Sequence, residues 1–331
     1  MPPTALFALD EVAFGKETNA GTIVAADTGM VVDDGAGSYA ETIEREVRDA
    51  PRGVLAEVED VITRKASGLS LVQDLTFEEF PVILLGGLKQ VTGGAGPTDY
   101  TYTVLPSTVT PDTLDAFSWE ATISDGTTLH YLRKFGYGQC SEFTVDLAFG
   151  QPAKVNSTWF GRAGQTLASA ASPAVLTGRQ IIQSELFALK IDATWAGLGG
   201  TAKSGLIRSG SLTVNTGVQP DFTLDGRSDL DLTKLTRGRI TGTFELTAEF
   251  TADATTEVTA WRDGTLRFIS LEAAGTANRS LKLQAAVKYV ESPQISHEDE
   301  LVVVTLVGRF RYDPTSGNVF NAIVVNQIAA Y

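Results

Sequence analysis

The chain has 331 residues, 43% of them hydrophobic, enough for two ordinary domains with their own cores. A single cysteine, Cys140, excludes an internal disulfide framework and suits a reducing cytoplasm, or a particle assembled there. The formal net charge of -14 argues against gripping nucleic acid, whose phosphates demand Lys and Arg. The charge is uneven: residues 1–165 hold 23 acids and 11 bases, residues 166–331 hold 17 and 15.

Residues 1–50 are rich in Gly, Ala, Asp and Glu without sustained periodicity, and read as an N-terminal arm or long loops. The opening MPPTALFALDEV lacks a basic n-region, so no secretory signal is expected. No apolar run approaches the ~20 residues of a membrane span.

Strand pattern starts at Val54. Within 67–88, Leu69, Leu71 and Leu75 share a parity, with Gly68, Ser70 and Asp74 on the opposite one, which predicts a half-buried strand. Thr76 with Glu79 three residues on spells a capping box before Phe80, Ile83 and Leu84. Gly86 and Gly87 are expected to close that short helix, with Pro81 tolerated in its first turn. Tyr100 to Val104 forms another strand. Phe117, Trp119, Ala121 and Ile123 alternate with polar neighbours before the hairpin signal Asp125-Gly126. Phe143, Val145 and Leu147 alternate again, ahead of Val155 to Arg162, which reads V-x-x-T-x-x-G-R. Residues 163–173 are small and polar, the expected linker.

The second half repeats the plan. Phe244, Leu246 and Phe250 take the apolar parity, with Thr243, Glu245, Thr247 and Glu249 opposite. Thr251 is the N-cap candidate and Gly264 the terminator of a second short helix. Residues 281–289 alternate strictly, 302–309 again read V-x-x-T-x-x-G-R, and 319–328 make a closing strand. Thr76 and Thr251 are 175 apart and Thr158 and Thr305 are 147 apart, so the first copy carries about 28 extra residues between these marks. The expectation is a mainly-β protein of two tandem β-sandwich domains, each with a short flanking helix, arising by internal duplication. The boundaries expected are 1–50, 51–165 and 166–331.

Catalytic constellations are scarce. His130 and His297, with one cysteine, fall short of a usual zinc site. Cys140 with His130 would make a nucleophile–base pair, but paired strand residues explain both more simply, and a hydrolase would instead combine His130, Asp125 and a nearby Ser or Thr. Glu298-Asp299-Glu300 reads as a solvated loop. The stretch 197–204 nearly spells a phosphate-binding loop, but Ala202 stands where its last glycine belongs and no βαβ pattern surrounds it. Asp225, Asp229 and Asp231 lack the glycine and distal glutamate of a calcium loop. No catalytic, cofactor or metal site is expected, and no cofactor. The candidate functional residues are the exposed-parity set Ser70, Asp74, Thr243, Glu245, Thr247 and Glu249.

The strand and Thr-capped helix of 67–88, the strand pair ending in V-x-x-T-x-x-G-R at 142–162, and their second-half counterparts resemble the major tail tube proteins of long-tailed, non-contractile bacteriophages. That resemblance implies β-sandwich subunits with a flanking helix, assembled into rings that stack as a virion tail tube, built in the bacterial host cytoplasm. It implies partners: further copies of the chain, a tape-measure protein, and terminator and tip proteins at the tube's ends. DNA would pass through to the host without specific binding, and the candidate residues would face the channel. Six sandwich units with about four inner strands each, at ~4.8 Å spacing, give a circumference of about 115 Å and a diameter of roughly 37 Å. Side chains reduce this to roughly 25–30 Å, room for a duplex on the order of 20 Å across. A β-sandwich adhesion or carbohydrate-binding module is the alternative, and would need clustered exposed aromatics.

Overall fold

A computed structural model describes residues 11–33, 38–48, 59–88, 90–95, 99–110, 112–124, 129–166, 173–200, 207–224, 226, 229–298, 300–329 and 331. In chain order the first half carries β1 (Glu11–Lys16), β2 (Thr28–Met30), β3 (Tyr39–Arg48), β4 (Glu59–Asp74), α1 (Phe80–Gly87), β5 (Gln90–Ala95), β6 (Tyr100–Val104), β7 (Phe117–Ser124), β8 (Leu129–Ala148), β9 (Lys154–Gly161) and β10 (Gln165–Thr166). The second carries β11 (Phe187–Asp192), β12 (Ile207–Asn215), β13 (Val218–Asp221), β14 (Lys234–Arg237), β15 (Thr241–Glu249), α2 (Ala252–Asp263), β16 (Arg267–Ala274), β17 (Ser280–Tyr289), β18 (Gln294–Glu298), β19 (Leu301–Phe310) and β20 (Phe320–Asn326). The protein is mainly β and its strand pairings are antiparallel, as the alternating apolar parity predicts.

One layer of eight strands runs β3-β4-β9-β8-β12-β15-β19-β18. A second layer, β5-β6-β20-β17-β16-β11, faces it. β8 belongs to both a β7-paired ribbon and the eight-stranded layer, because its first half pairs β7 and its second half pairs β9 and β12. Leu69, Leu71, Phe143, Val145, Leu212, Val214, Phe244 and Leu246 bring the inner parity of the first layer to one core shared with Val104, Leu281, Leu283, Phe320 and Val324. Full burial of such side chains is worth about 1.5–3 kcal/mol each.

Where an arm or long loops were expected over 1–50, the described part carries β1, β2 and β3. Val12 and Phe14 are fully buried, and β1 pairs β7 over six residues. The alternation test misses β1 because four consecutive residues, Val12 to Gly15, are all buried. β3 places its apolar residues at 39, 43 and 47, a helical spacing, yet pairs β4 as a hairpin arm. In the expected linker, Gln165 and Thr166 pair with β8, and 167–172 lie outside the described residues, as does the expected strand start at Val54.

The helix starts also differ from expectation. α1 begins at Phe80 with Glu79 as N-cap. Thr76 caps the preceding turn, its Oγ1 accepting the Glu79 N–H at 3.0 Å and donating to Glu79 Oε2 at 3.1 Å. Gly86 and Gly87 are the last two residues of the helix, as expected, with Leu88 as an extended C-cap, and a Cβ on Gly86 would come within 2.5 Å of the Trp159 ring. Gly86 is therefore a close-approach glycine. α2 ends as expected at left-handed Gly264, φ 62°, but its N-cap Thr251 makes no side-chain capping bond.

Candidate functional site

The outward face of the eight-stranded layer is a polar surface built by strand parity, since every second side chain points away from the core. Its rows can be followed strand by strand. Asp74, Lys154, Asp146, Ser211 and Glu245 are consecutive cross-strand partners over β4, β9, β8, β12 and β15. The next row runs Val72, Asn156, Thr144, Thr213, Thr243 and Arg309, and the one after it Ser70, Thr158, Glu142, Asn215 and Thr241.

All six candidate residues lie on this face. Ser70, Thr243 and Glu245 are exposed, and Asp74, Thr247 and Glu249 half-buried. Asp74 and Glu245 share one row. Ser70, Thr243, Thr247 and Glu249 fall in different rows, so the set is spread over a surface and not gathered into a pocket.

Cross-strand polar contacts tie the face together. Thr144 and Thr213 hydroxyls meet at 3.0 Å and Thr247 and Thr305 at 3.1 Å. Asn156 Nδ2 donates to Asp146 at 3.1 Å, Asn215 Nδ2 to Glu142 at 3.4 Å, and Arg208 Nη2 to Glu249 at 3.4 Å. Lys154 Nζ donates to Asp33 at 2.7 Å, and that hydrogen bond and charge hold the ammonium above the ordinary lysine pKa. Carboxylates of Asp74, Glu142, Asp146, Glu245 and Glu249 outnumber the cations Lys154, Arg208 and Arg309. Such a face repels phosphate and offers it no Arg or Lys cluster.

Sequence reasoning missed Glu142, Asp146, Lys154, Asn156, Thr158, Ser211 and Thr213 as members of this surface. The signal was present in the alternation of 143–148, and the same parity rule used on β4 and β15 finds them. What alternation cannot supply is the neighbour relation, especially β8 beside β12.

The groups weighed for catalysis do not converge. Cys140 is fully buried, and burial pushes its thiol pKa far up. Asp125 lies outside the described residues, while His297 is exposed on β18. Among the described residues no three of His, Cys, Asp and Glu group together as metal ligands. Of the phosphate-loop look-alike, Ala196–Gly199 forms one short 3-10 turn and 201–206 lie outside the described residues. Asp231 accepts the Ala163 and Leu232 N–H groups, both at 2.8 Å, as a structural brace. Trp119 and Trp159 are fully buried with ring centroids 4.7 Å apart, and Trp195 and Trp261 pack half-buried in two separate small clusters. The four tryptophans thus form no shared exposed platform. No described helix is long and apolar enough to cross a membrane.

A search of curated proteins finds no match. The family description "phage tail tube protein" matches residues 8–306, nearly the whole chain and all but one of the eight-stranded layer's strands in full. The chain therefore belongs to the phage tail tube protein family, a family of structural proteins of the virion tail.

Proposed function

We infer that the protein builds the tail tube of a long-tailed, non-contractile phage as stacked rings of three chains, and that DNA reaches the host through their channel. Each chain would supply two sandwich-like units, 51–165 and 166–331, derived by duplication. The supporting observation is the eight-stranded layer that runs without a break from one half into the other, with β8 pairing β12 over seven residues. Three such layers, at ~4.8 Å per strand, close a wall of roughly 37 Å diameter. Side chains leave roughly 25–30 Å, against a duplex on the order of 20 Å across.

In this reading the outward polar face, with Ser70, Asp74, Thr243, Glu245, Thr247 and Glu249, lines the channel, and its carboxylates keep DNA from adhering. The partners are further copies of the chain, a tape-measure protein during assembly, and terminator and tip proteins, with assembly in the host cytoplasm. Cryo-electron microscopy of assembled tubes tests it. Three chains per ring with Glu245 on the inner wall is the expected map; six chains per ring, or Glu245 on the outer wall, overturns it. Charge reversal at exposed Glu245 should leave folding nearly intact, as exposed substitutions do, and reversal at half-buried Glu249 should cost somewhat more through its Arg208 contact; both should slow or trap DNA in passage.

A further inference from the structure

The two halves share one pairing scheme, residue by residue. On β9 and β19 the V-x-x-T-x-x-G-R threonines correspond, Thr158 to Thr305. Thr158 pairs Ser70 of β4 and Glu142 of β8, while Thr305 pairs Thr247 of β15 and Gln294 of β18. β4 therefore matches β15 with an offset of 177, two residues from the 175 that the sequence alignment of Thr76 with Thr251 implies. The second half of β8 matches β18 with an offset of 152. On the other side, Glu41 of β3 pairs Ser67, and Leu212 of β12 pairs Phe244, so β3 matches β12 with an offset of 171. The order β3-β4-β9-β8 is thus repeated as β12-β15-β19-β18.

Within the chain the two series meet at β8 and β12, in a register that sets Phe143 opposite Val214, Thr144 opposite Thr213 and Val145 opposite Leu212. Applying the offsets to that junction gives Ile295 opposite Ile43, Ser296 opposite Thr42 and His297 opposite Glu41. These are the two outer edges of the layer: among the described residues β18 pairs only β19 and β3 pairs only β4. Both edges expose an apolar side chain at the matching place. Ile295 is 58% exposed and Ile43 39%, whereas their counterparts Phe143 and Val214 are 0% exposed. An open strand edge carrying an uncovered isoleucine invites another strand, and parity fixes which registers bury it.

We propose that β18 of one chain pairs antiparallel with β3 of the next copy, in the register that sets Ile295 against Ile43 and His297 against Glu41. The contact between chains is then a copy of the β8–β12 contact within each chain. This rests on the ring-forming reading above and specifies its partner surface. β17 and β18 together stand where β8 runs unbroken, and the interruption at Ser292-Pro293 leaves β18 a five-residue edge strand with every residue exposed. A short edge strand of that kind resists indiscriminate pairing yet accepts one complementary edge.

The test uses the full chain. Ile295→Lys and Ile43→Glu should each abolish rings and tubes in electron micrographs while the single chain keeps the wild-type melting temperature, because both side chains are exposed in it. The double variant, with opposite charges now facing, should recover assembly. Independently, Ile43→Cys combined with Ile295→Cys should form interchain disulfides under mild oxidation, and Ile43→Cys with His297→Cys, displaced by two residues, should form far fewer. Buried Cys140 supplies an internal thiol that stays out of reach. Tubes forming normally from the Ile295→Lys chain, or preferred cross-linking through His297→Cys, overturn the pairing and leave the tube reading standing. Wild-type protein that never assembles overturns both.

Discussion

α1 and α2 follow β4 and β15, strands with matching partners, yet they live in different surroundings. All eight residues of α1, from Phe80 to Gly87, are buried. α2 buries only Ala254, Glu257 and Ala260 of its twelve. Their sequences already differ in kind, FPVILLGG against ADATTEVTAWRD. The structure adds the reason: α1 is sunk into the core against β6 and β8, with Phe80 and Phe143 ring centroids 5.7 Å apart, and chain from the second half roofs the Glu78–Glu79 turn before it. Arg279 donates to Glu78 Oε1, to Gly178 O at 2.8 Å and to Gln327 at 3.1 Å, while Glu78 Oε2 accepts the Gln180 N–H at 2.8 Å. Arg179 Nη2 donates to Glu79 at 3.0 Å, and the Tyr331 hydroxyl reaches Glu78 O. α2 is held by its own neighbourhood, through Glu257, which takes Arg267 Nε at 2.8 Å and the Tyr289 hydroxyl at 2.9 Å. Equal position in a repeated plan does not fix burial; what covers the helix does.

Breaking this roof should cost the most. Among the described residues, Arg279→Ala takes the only cation from the Glu78 carboxylate, whose side chain is 0% exposed and keeps just the Gln180 N–H, and also removes the ties to Gly178 and Gln327, so it should cost about 3–5 kcal/mol. Arg267→Ala, beside α2, leaves Glu257 its Tyr289 bond and should cost less, about 2 kcal/mol. Urea unfolding of the two variants measures the difference, and equal losses would contradict it. Next come the glycines. Gly86→Ala drives a methyl into Trp159, itself wedged against Phe117 and Trp119, and overpacking of that kind costs about 1–3 kcal/mol. Gly264→Ala meets only the flexible end of Lys288 and pays chiefly for its left-handed backbone, about 1 kcal/mol. Thermal melts of the pair should rank them in that order.

How far the sequence could be read follows the same divide between local and remote causes. The parity of Leu69 and Leu71, or of Phe244 and Leu246, is local and predicts β4 and β15 correctly. So does Gly264, whose role depends only on its own backbone. The helix end at Gly87 is local and legible, but the packing reason for a glycine at 86 is not, since the Trp159 ring is 73 residues away in the chain. β1 escaped because both its faces are covered, which erases alternation. β3 escaped because Ile43 and Val47 sit four apart on a charged hairpin, the spacing of a helix. The candidate face was legible strand by strand. Its continuity through β8 and β12 was not, since no local pattern tells which strands become neighbours.

The two capping threonines differ in the same way. Thr76 Oγ1 exchanges two hydrogen bonds with Glu79 at a fully buried turn. Thr76→Ala should therefore cost about 0.5–2 kcal/mol. Thr251 occupies the N-cap of α2, but its Oγ1 is buried and finds no partner among the described residues. Removing an unpaired buried hydroxyl relieves its desolvation, so Thr251→Ala should be neutral or slightly stabilising. A loss at Thr251 equal to that at Thr76 would show that α2 is capped in solution as α1's preceding turn is.

The smallest expected difference is in pH dependence, and the two halves should differ in sign. Burial raises the Glu79 pKa above the ordinary 4.5, and Arg179, the Val31 N–H and Thr76 offset it only in part. Its folded form binds a proton more readily than the unfolded chain, so its contribution falls as pH rises from about 4.5 through the raised value. Glu272, on β16 after α2, is desolvated too. There the hydrogen bonds from Lys190, Ser270 and Lys282 outweigh burial and hold its pKa below the ordinary value. Its contribution is complete above about 4.5 and is lost as pH falls through the depressed value. Glu79→Gln should therefore flatten a negative slope of stability against pH just above 4.5, and Glu272→Gln a positive slope just below it. Melting temperatures of both variants and wild type, taken from pH 3 to 7 at one salt concentration, measure this. Slopes of the same sign would mean that the roof over the turn before α1 admits water, and that Glu79 is less buried than its packing indicates.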